Sequence, residues 1–578
     1  MSEPPAPQPP RAPIVVGIDL GTTNCAIGVW RDDKVHWLRN PLGDVLTPSC
    51  VAAEPATGKL VVGRTARDLV ARDPRCGALR WKPDIASDRV FQLGPHTLTA
   101  VDLSAHVLDA LRSDAERALG TVVDRAVITV PAYFDDAQRH ATRKAAEAAG
   151  LVVERILNEP TAAAITYGLH RRAHESRFAV VDLGGGTFDV CVMELFEGVL
   201  AVRSVAGDGR LGGEDFTAAL VELIAARAGV ATTGPSAGLL YKRAETCKRA
   251  LARWPQAEVV LPEAVTGAGE RSLVVTAAEA DAAWAPLLER LRAPLRAALR
   301  GAELSAGDLA EVVLVGGATR MPCIGRVVGE LLGRTPIHHA DPDLLVAEGA
   351  AIQGAMLLAD AAVEDVVVTD VCAHSLGVDS SKTLGDRVVD GYFTPIIHRN
   401  TTIPTTQLES FATLHDYQRA LTLVVREGES RRAADNRTIG ELRVPLTKPG
   451  PAGREVQVRF TLDGNGMLEV EAIDVDGDHA VRKVFHRTGG EVTGPALEVA
   501  QARLRAARAD PMDRPRYRDL HARAKLAWAE ASAAERAPLD HLIDCFEAAV
   551  AGRAPAAIEQ AYAALAAHCD RLDRGDRW

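Results

Sequence analysis

The sequence predicts a multidomain protein: mixed α/β from Ile14 to about residue 362, antiparallel β from Cys372 to about 490, then α-helix to Trp578. Three observations predict it. A strand, an Asp-bearing glycine turn and a second strand are written twice in the first part, at Ile14–Thr23 and Phe178–Asp189. Period-two alternation marks Ala420–Val425, Arg454–Phe460 and Met467–Ile473, with Gly, Asp and Asn between them. After Gly494 the chain turns Ala- and Arg-rich at helical spacing, broken around Asp510, Pro511 and Pro515.

At 578 residues the chain has room for roughly four domain-sized units. A composition of 47% hydrophobic and 25% charged residues is that of an ordinary globular protein, and the net charge of −11 argues against a nucleic-acid role. No apolar run is long enough to span a bilayer. The Pro-rich stretch 1–13 has no apolar core and is expected to be a disordered tail. The nine cysteines are scattered without close pairs, which fits a reducing cytoplasm.

Element by element, the first unit (14–362) alternates strands and helices. Asp124–Val130 reads as a strand ending at Pro131; Asp135 or Asp136 then caps a helix that Gly150 stops. In the two duplicated turns, glycine is expected for positive φ and for close approach of backbone N–H groups to a ligand. Successive N–H groups of that kind form a concave site for phosphate oxygens. Asp19 and Asp182 would hold a hydrated divalent metal between two such hairpins. Val312–Pro322 is a strand entering the Gly316-Gly317 turn, and Arg320 beyond it offers a planar guanidinium for stacking on a base. Glu245 and Lys248 lie at i, i+3 on a helix, as ribose ligands or as a solvated ion pair. Glu159 stands at a helix start, as a functional acid or as a cap. The run 363–371 is a linker, 372–490 a β unit and 491–578 a helical end.

Together these residues resemble the heat shock protein 70 family of ATP-dependent, DnaK-like chaperones. The motifs are Gly17-Ile-Asp-Leu-Gly-Thr-Thr-Asn24, Val130-Pro-Ala-Tyr-Phe134, Asn158-Glu-Pro-Thr-Ala-Ala163 and Asp182-Leu-Gly-Gly-Gly-Thr-Phe-Asp189. Leu211-Gly-Gly-Glu-Asp-Phe216, Val315–Pro322, Arg399-Asn-Thr-Thr-Ile-Pro404 and Arg432-Ala-Ala-Asp-Asn436 extend the likeness. The segment between Gly377 and Asn400 and the short C-terminus look more like the compact bacterial HscC-type branch.

The resemblance implies an actin-like ATPase domain, a β-sandwich peptide-binding domain and a short helical lid. It implies a catalytic set of Asp19, Lys82, Glu159, Asp182 and Thr187, with Mg²⁺ held through water by Asp19 and Asp182, and K⁺ as a further ion. Gly21, Thr22, Thr23, Gly184, Gly185 and Gly186 would grip phosphates. Gly212, Gly213, Glu245, Lys248, Gly316, Gly317, Arg320 and Asp343 would hold the nucleoside. Val378, Phe411, Leu421, Leu423 and Val456 would line a peptide pocket, with Leu414 at an arch over it; inward-facing core is the alternative. Val366, Val367, Val368 and Asp370 would couple the domains, and the implied partners are unfolded or extended peptides, a J-domain protein and an exchange factor.

Three departures stand out. The lysine near the attacking water usually lies in a Phe-Lys-Arg-like context; here Leu79-Arg-Trp-Lys-Pro83 leaves Lys82 and Arg80 as rivals. A serine expected four residues past Lys248 is Ala252, and Thr369 interrupts the apolar linker. A sugar kinase or a filament-forming actin relative would use the same clamp but would need no β unit. A non-hydrolysing ATP sensor rests on the altered lysine motif and linker alone.

Overall fold

The computed structural model describes residues 14–168, 176–196, 199–234, 236–339, 341–358, 367–384, 387–448, 450–463, 466–475, 479–486, 515–530, 533–552 and 555–574. The expected tail 1–13, linker residues 363–366 with Val366, and the first part of the expected lid to residue 514 lie outside them.

Two large sheets, buried and apolar at their centres and more exposed at their edges, share one plan. Across the first run Lys34–Trp37, Asn24–Arg31, Val15–Asp19, Arg125–Val130 and Val152–Asn158. Across the second run Val199–Asp208, Phe188–Phe196, Ser176–Leu183, Glu311–Val315 and Ile337–His338. In each, the first three strands are antiparallel, the third pairs in parallel with the fourth and the fourth in parallel with the fifth. The two Asp-glycine turns are the hairpins joining corresponding strands, so the sequence repeat is a repeat of topology.

A helix follows the last strand of each sheet, Glu159–Thr166 and Leu345–Leu357. Both are apolar nearly all round and nearly every residue is buried, as a central helix requires. They meet so closely that a Cβ on Gly349 would sit 1.9 Å from the Ala162 carbonyl oxygen. Around this pair lies the core shared by the two sheets, with Val15, Val127, Ala163, Val180, Val313 and Ala350. The Asp136–Ala148 helix is capped by Asp135, whose side chain accepts from Gln138 N, and Gly150 follows its C-cap at φ 79°.

The second sheet extends further. Val367–Val371 adds to it in parallel, pairing Val199 with Val367, Leu200 with Val368 and Ala201 with Thr369. Thr402–Ile403 then pairs with Asp370 and Val371. Beyond this, two four-stranded antiparallel sheets enclose one core that includes Val378, Val425, Leu442, Val458, Phe460 and Val470. Helices Pro515–Glu530, Ala533–Gly552 and Pro555–Arg574 pack on one another through Tyr517, Leu520, Ile543, Phe546 and Leu565.

Candidate active site in the cleft between two hairpins

The two hairpin turns face each other across a cleft lined by Asp19, Gly21, Thr22, Thr23, Lys82, Glu159, Asp182, Gly184, Gly185, Thr187, Gly316, Gly317 and Asp343. Most of the expected phosphate and catalytic residues therefore share one cavity. Asn24, Leu46, Pro342 and Val346 also line it and went unassigned in the sequence. Leu46 and Val346 are ordinary apolar residues whose only signal is tertiary.

Glycine serves here for approach, which corrects the expectation of positive φ. None of Gly21, Gly184, Gly185 and Gly186 is left-handed; of the cleft glycines only Gly316, at φ 83°, is. A Cβ on Gly185 would lie 1.8 Å from Thr23 Oγ1, and one on Gly186 would lie 2.7 Å from Thr22 Cγ2. Any side chain would wedge the hairpins apart. Gly212 likewise touches the backbone of Gly185 and Gly186, and Gly213 N donates to Gly184 O at 2.9 Å.

At the floor of the cleft, Lys82 Nζ donates to Glu159 Oε1 at 2.8 Å, with both residues buried. Glu159 opens its helix behind the N-cap Asn158, and its carboxylate goes to the lysine rather than to a cap. Lys82 is held by a 3-10 turn, Lys82–Asp84, anchored by buried Trp81, whose indole N–H donates to Ser104 at 2.9 Å. Burial disfavours the ammonium, yet Glu159 and Asp19 outweigh it and hold the Lys82 pKa above its ordinary value. Arg80 turns elsewhere: its guanidinium pairs with Glu214 at 2.7 Å.

Three aspartates surround this pair. Thr129 Oγ1 donates to Asp19 at 2.9 Å, and Tyr133 N donates to Asp189 at 3.0 Å. Burial first, and Glu159 second, push Asp19 and Asp189 up to about 7. The same causes, with Asp189 next, raise Asp182 well above its usual range. Four carboxylates around one ammonium leave buried negative charge that suits a hard divalent cation. Among the described residues no three His, Cys, Asp or Glu side chains converge to cage an ion alone. Asp19 and Asp182 would hold a hard divalent cation such as Mg²⁺ here only together with oxygens from water or a ligand.

Outside the residues that line this cavity, Glu245 and Lys248 form the i, i+3 pair at 2.7 Å. It is no solvated pair: Lys248 is buried, donating to Gly213 O at 2.7 Å and Thr217 Oγ1 at 2.8 Å. Thr217 in turn donates to Glu245 at 2.6 Å. Arg320 pairs with Asp343 at 3.1 Å, beside Gly317.

Away from the cleft, Val378, Leu423 and Val456 are buried in the two-sheet core, and Phe411 and Leu421 pack half-buried against it. Leu414 stands apart and exposed. Asp370 accepts from Asn158 Nδ2 at 2.9 Å, one residue before Glu159.

A model of the Hsp70 protein family matches residues 15–82 and 84–570, nearly the whole chain. Motifs, duplicated sheets and family match agree: the chain belongs to the Hsp70 family, whose members are ATPases and chaperones.

Proposed function

We propose that this protein binds and releases extended hydrophobic peptide segments under control of ATP hydrolysis. The observation that carries the reading is the buried Lys82–Glu159 pair beneath two interlocked glycine hairpins, in a chain that continues into a two-sheet β unit. In this reading residues 14–362 form an actin-like ATPase domain, 372–490 a β-sandwich for peptide and 491–578 a lid, joined by the linker 363–371.

Phosphoryl transfer asks mainly for positioning and for charge at the transferring group. Backbone N–H groups of Gly21–Thr23 and Gly184–Gly186 would hold the phosphates. Lys82, kept charged by Glu159 and Asp19, would set an ammonium at the γ-phosphate, and Glu159 with Thr187 would orient the attacking water. The bond from the γ-phosphorus to the bridging oxygen then breaks, leaving ADP and phosphate. Mg²⁺, bound with ATP across this family, would be held through water by Asp19 and Asp182 and would neutralise triphosphate charge; K⁺ is a further ion. Glu245, Lys248, Arg320 and Asp343, with Gly212, Gly213, Gly316 and Gly317, would take the nucleoside.

Val378, Phe411, Leu421, Leu423 and Val456 would form the pocket for one aliphatic side chain, with Leu414 over the peptide backbone. We place the protein in the cytoplasm, in the HscC-type branch, served by a J-domain partner and an exchange factor. Single-turnover ATP hydrolysis with and without a hydrophobic peptide tests the reading. Hydrolysis that peptide accelerates supports it; no hydrolysis leaves an ATP-sensing scaffold in its place.

A further inference from the structure

A trans peptide unit is planar, so each C=O and the N–H of the following residue point opposite ways. A turn therefore offers N–H groups to an anion only when its carbonyls are held on the far side. Both hairpins of the cleft are held in this manner, by different means. In the second, Gly213 N donates to Gly184 O and Glu214 N to Gly185 O, each at 2.9 Å. These donors open the helix Gly213–Ala228, where N–H groups have no partner within the helix. The two bonds aim the N–H groups of Gly185 and Gly186 away from that helix.

In the first hairpin one residue does both jobs. Ser49 lies in the bend between the strands Leu46–Pro48 and Cys50–Ala53. Leu46–Pro48 pairs antiparallel with the start of Asn24–Arg31, Asn24 opposite Pro48, which sets Ser49 beside the turn. Its N–H donates to Thr23 O at 2.9 Å, and its hydroxyl donates to Gly21 O at 2.6 Å. The N–H groups of Asn24 and Thr22 are thereby aimed away from Ser49. Gly21, Thr22, Thr23 and Asn24 line the cleft, and Ser49 stands behind them, outside its lining. Arg67 also donates to Thr23 O, at 3.1 Å. Gly21 O depends more heavily on the serine, because Cys25 Sγ is 3.7 Å away and a thiol is a weak donor. Ser49 is 4% exposed and Cys25 is fully buried, so bulk water does not compete for the hydroxyl.

We infer that Ser49 is a positioning residue for phosphate: its hydroxyl fixes the Gly21 carbonyl and so aims the Thr22 N–H at the phosphate chain of a bound nucleotide. The inference rests on the ATP reading above. Ser49 touches no phosphate in this account; it acts through the Gly21–Thr22 peptide unit alone. The nucleoside is assigned to other residues, among them Glu245, Lys248 and Arg320. Loss of the hydroxyl should therefore weaken the hold on phosphates and leave the hold on the nucleoside unchanged.

The test is calorimetric titration of the nucleotide-free full chain with ADP and Mg²⁺ and, separately, with adenosine. Ser49→Ala removes one hydrogen bond and leaves a buried carbonyl without its main donor, which predicts ADP binding about tenfold weaker. Adenosine binding should stay within about twofold of wild type, a split that general loosening of the fold would not produce. Ser49→Thr keeps the hydroxyl and should return ADP affinity to within about twofold. Ser49→Cys keeps the size and a weak donor, and should fall between, at about threefold; it carries the measurement if the alanine variant does not fold. Wild-type ADP affinity in Ser49→Ala, or in Ser49→Cys where that variant stands in, would overturn the inference, as would an equal loss for ADP and adenosine. If the wild-type protein itself binds no ADP, the ATP reading fails, and the missing wild-type signal separates that outcome from an unchanged variant.

Discussion

The two large sheets share a strand path but differ in what they carry. In the proposed reading the first would deliver chemistry: its last strand runs straight into Glu159, and the excursion between Trp37 and Arg125 brings in Lys82. The second would deliver grip and connection, with Gly213, Glu245 and Lys248 on its added helices and Gly212 capping one of them. Its edges differ too. The outer strand of the first sheet, Lys34–Trp37, has four residues; that of the second, Val199–Asp208, has ten and accepts Val367–Val371. A duplicated scaffold makes a symmetrical clamp, and in the proposed function asymmetry in its insertions and edges would separate hydrolysis from coupling.

The largest effect should come from breaking the chemical side alone. Lys82→Ala should slow single-turnover hydrolysis by about 10²–10³-fold, the cost of one electrostatic contact at a transferring group. Arg80→Ala should change that step by less than about threefold, since its guanidinium serves Glu214. The reverse ranking would move the catalytic cation to Arg80.

Next is the junction of the two halves. Gly349→Ala puts a methyl against the Ala162 backbone, and overpacking of this kind costs about 1–3 kcal/mol. Chemical denaturation should show that loss. Equal stability would mean the central helices slide apart easily, and the shared core would not be what joins the sheets.

The smallest effect is a pH dependence, and it sharpens the comparison because both hairpins contribute to it. Asp19 in the first and Asp189 in the second are raised to about 7, by burial first and Glu159 next. Between about pH 4 and 7 the folded state therefore binds more protons than the unfolded one, and stability falls as pH rises through that window. The nucleotide-free protein should melt roughly 2–5 °C lower at pH 8 than at pH 6. Asp19→Asn should flatten that difference, and Mg²⁺ with ATP should restore stability at pH 8. A melting temperature that climbs from pH 6 to pH 8 contradicts the burial argument.

What was legible in the sequence was local. Each Asp-glycine hairpin announces itself within ten residues, and period-two alternation marks the β strands before any partner is known. Lys82 was only half legible, because its partner Glu159 is 77 residues away and its own motif is degenerate. The glycine reading expected positive φ, but the demand at Gly185 and Gly186 is set by Thr22 and Thr23 on the other hairpin, which no local pattern displays. Glu214 sat inside a quoted motif yet went unassigned, since its meaning lies in contacts with Thr23, Arg80 and Tyr241. The linker read as a short apolar run; that its residues Val367–Val371 form a strand on the second sheet, with Asp370 bonded to Asn158, depends on an edge built 168 residues earlier.

The central claim is that ATP in the cleft governs the peptide unit through that added strand, and one measurement bears on it most directly. A fluorescent hydrophobic peptide is preloaded, and its dissociation rate is compared after adding ADP or ATP, in wild type and in Val368→Pro. Proline fits poorly inside a strand and leaves residue 368, opposite Leu200 and outside the cleft lining, with no N–H to donate. A ligand shifts a two-state protein only through differential affinity for its states, so ATP must favour the docked strand if it opens the groove. The account predicts release at least about tenfold faster with ATP in wild type, with no acceleration in Val368→Pro and ATP still bound. Equal release with ADP and ATP in wild type, or undiminished acceleration in the proline variant, would contradict it.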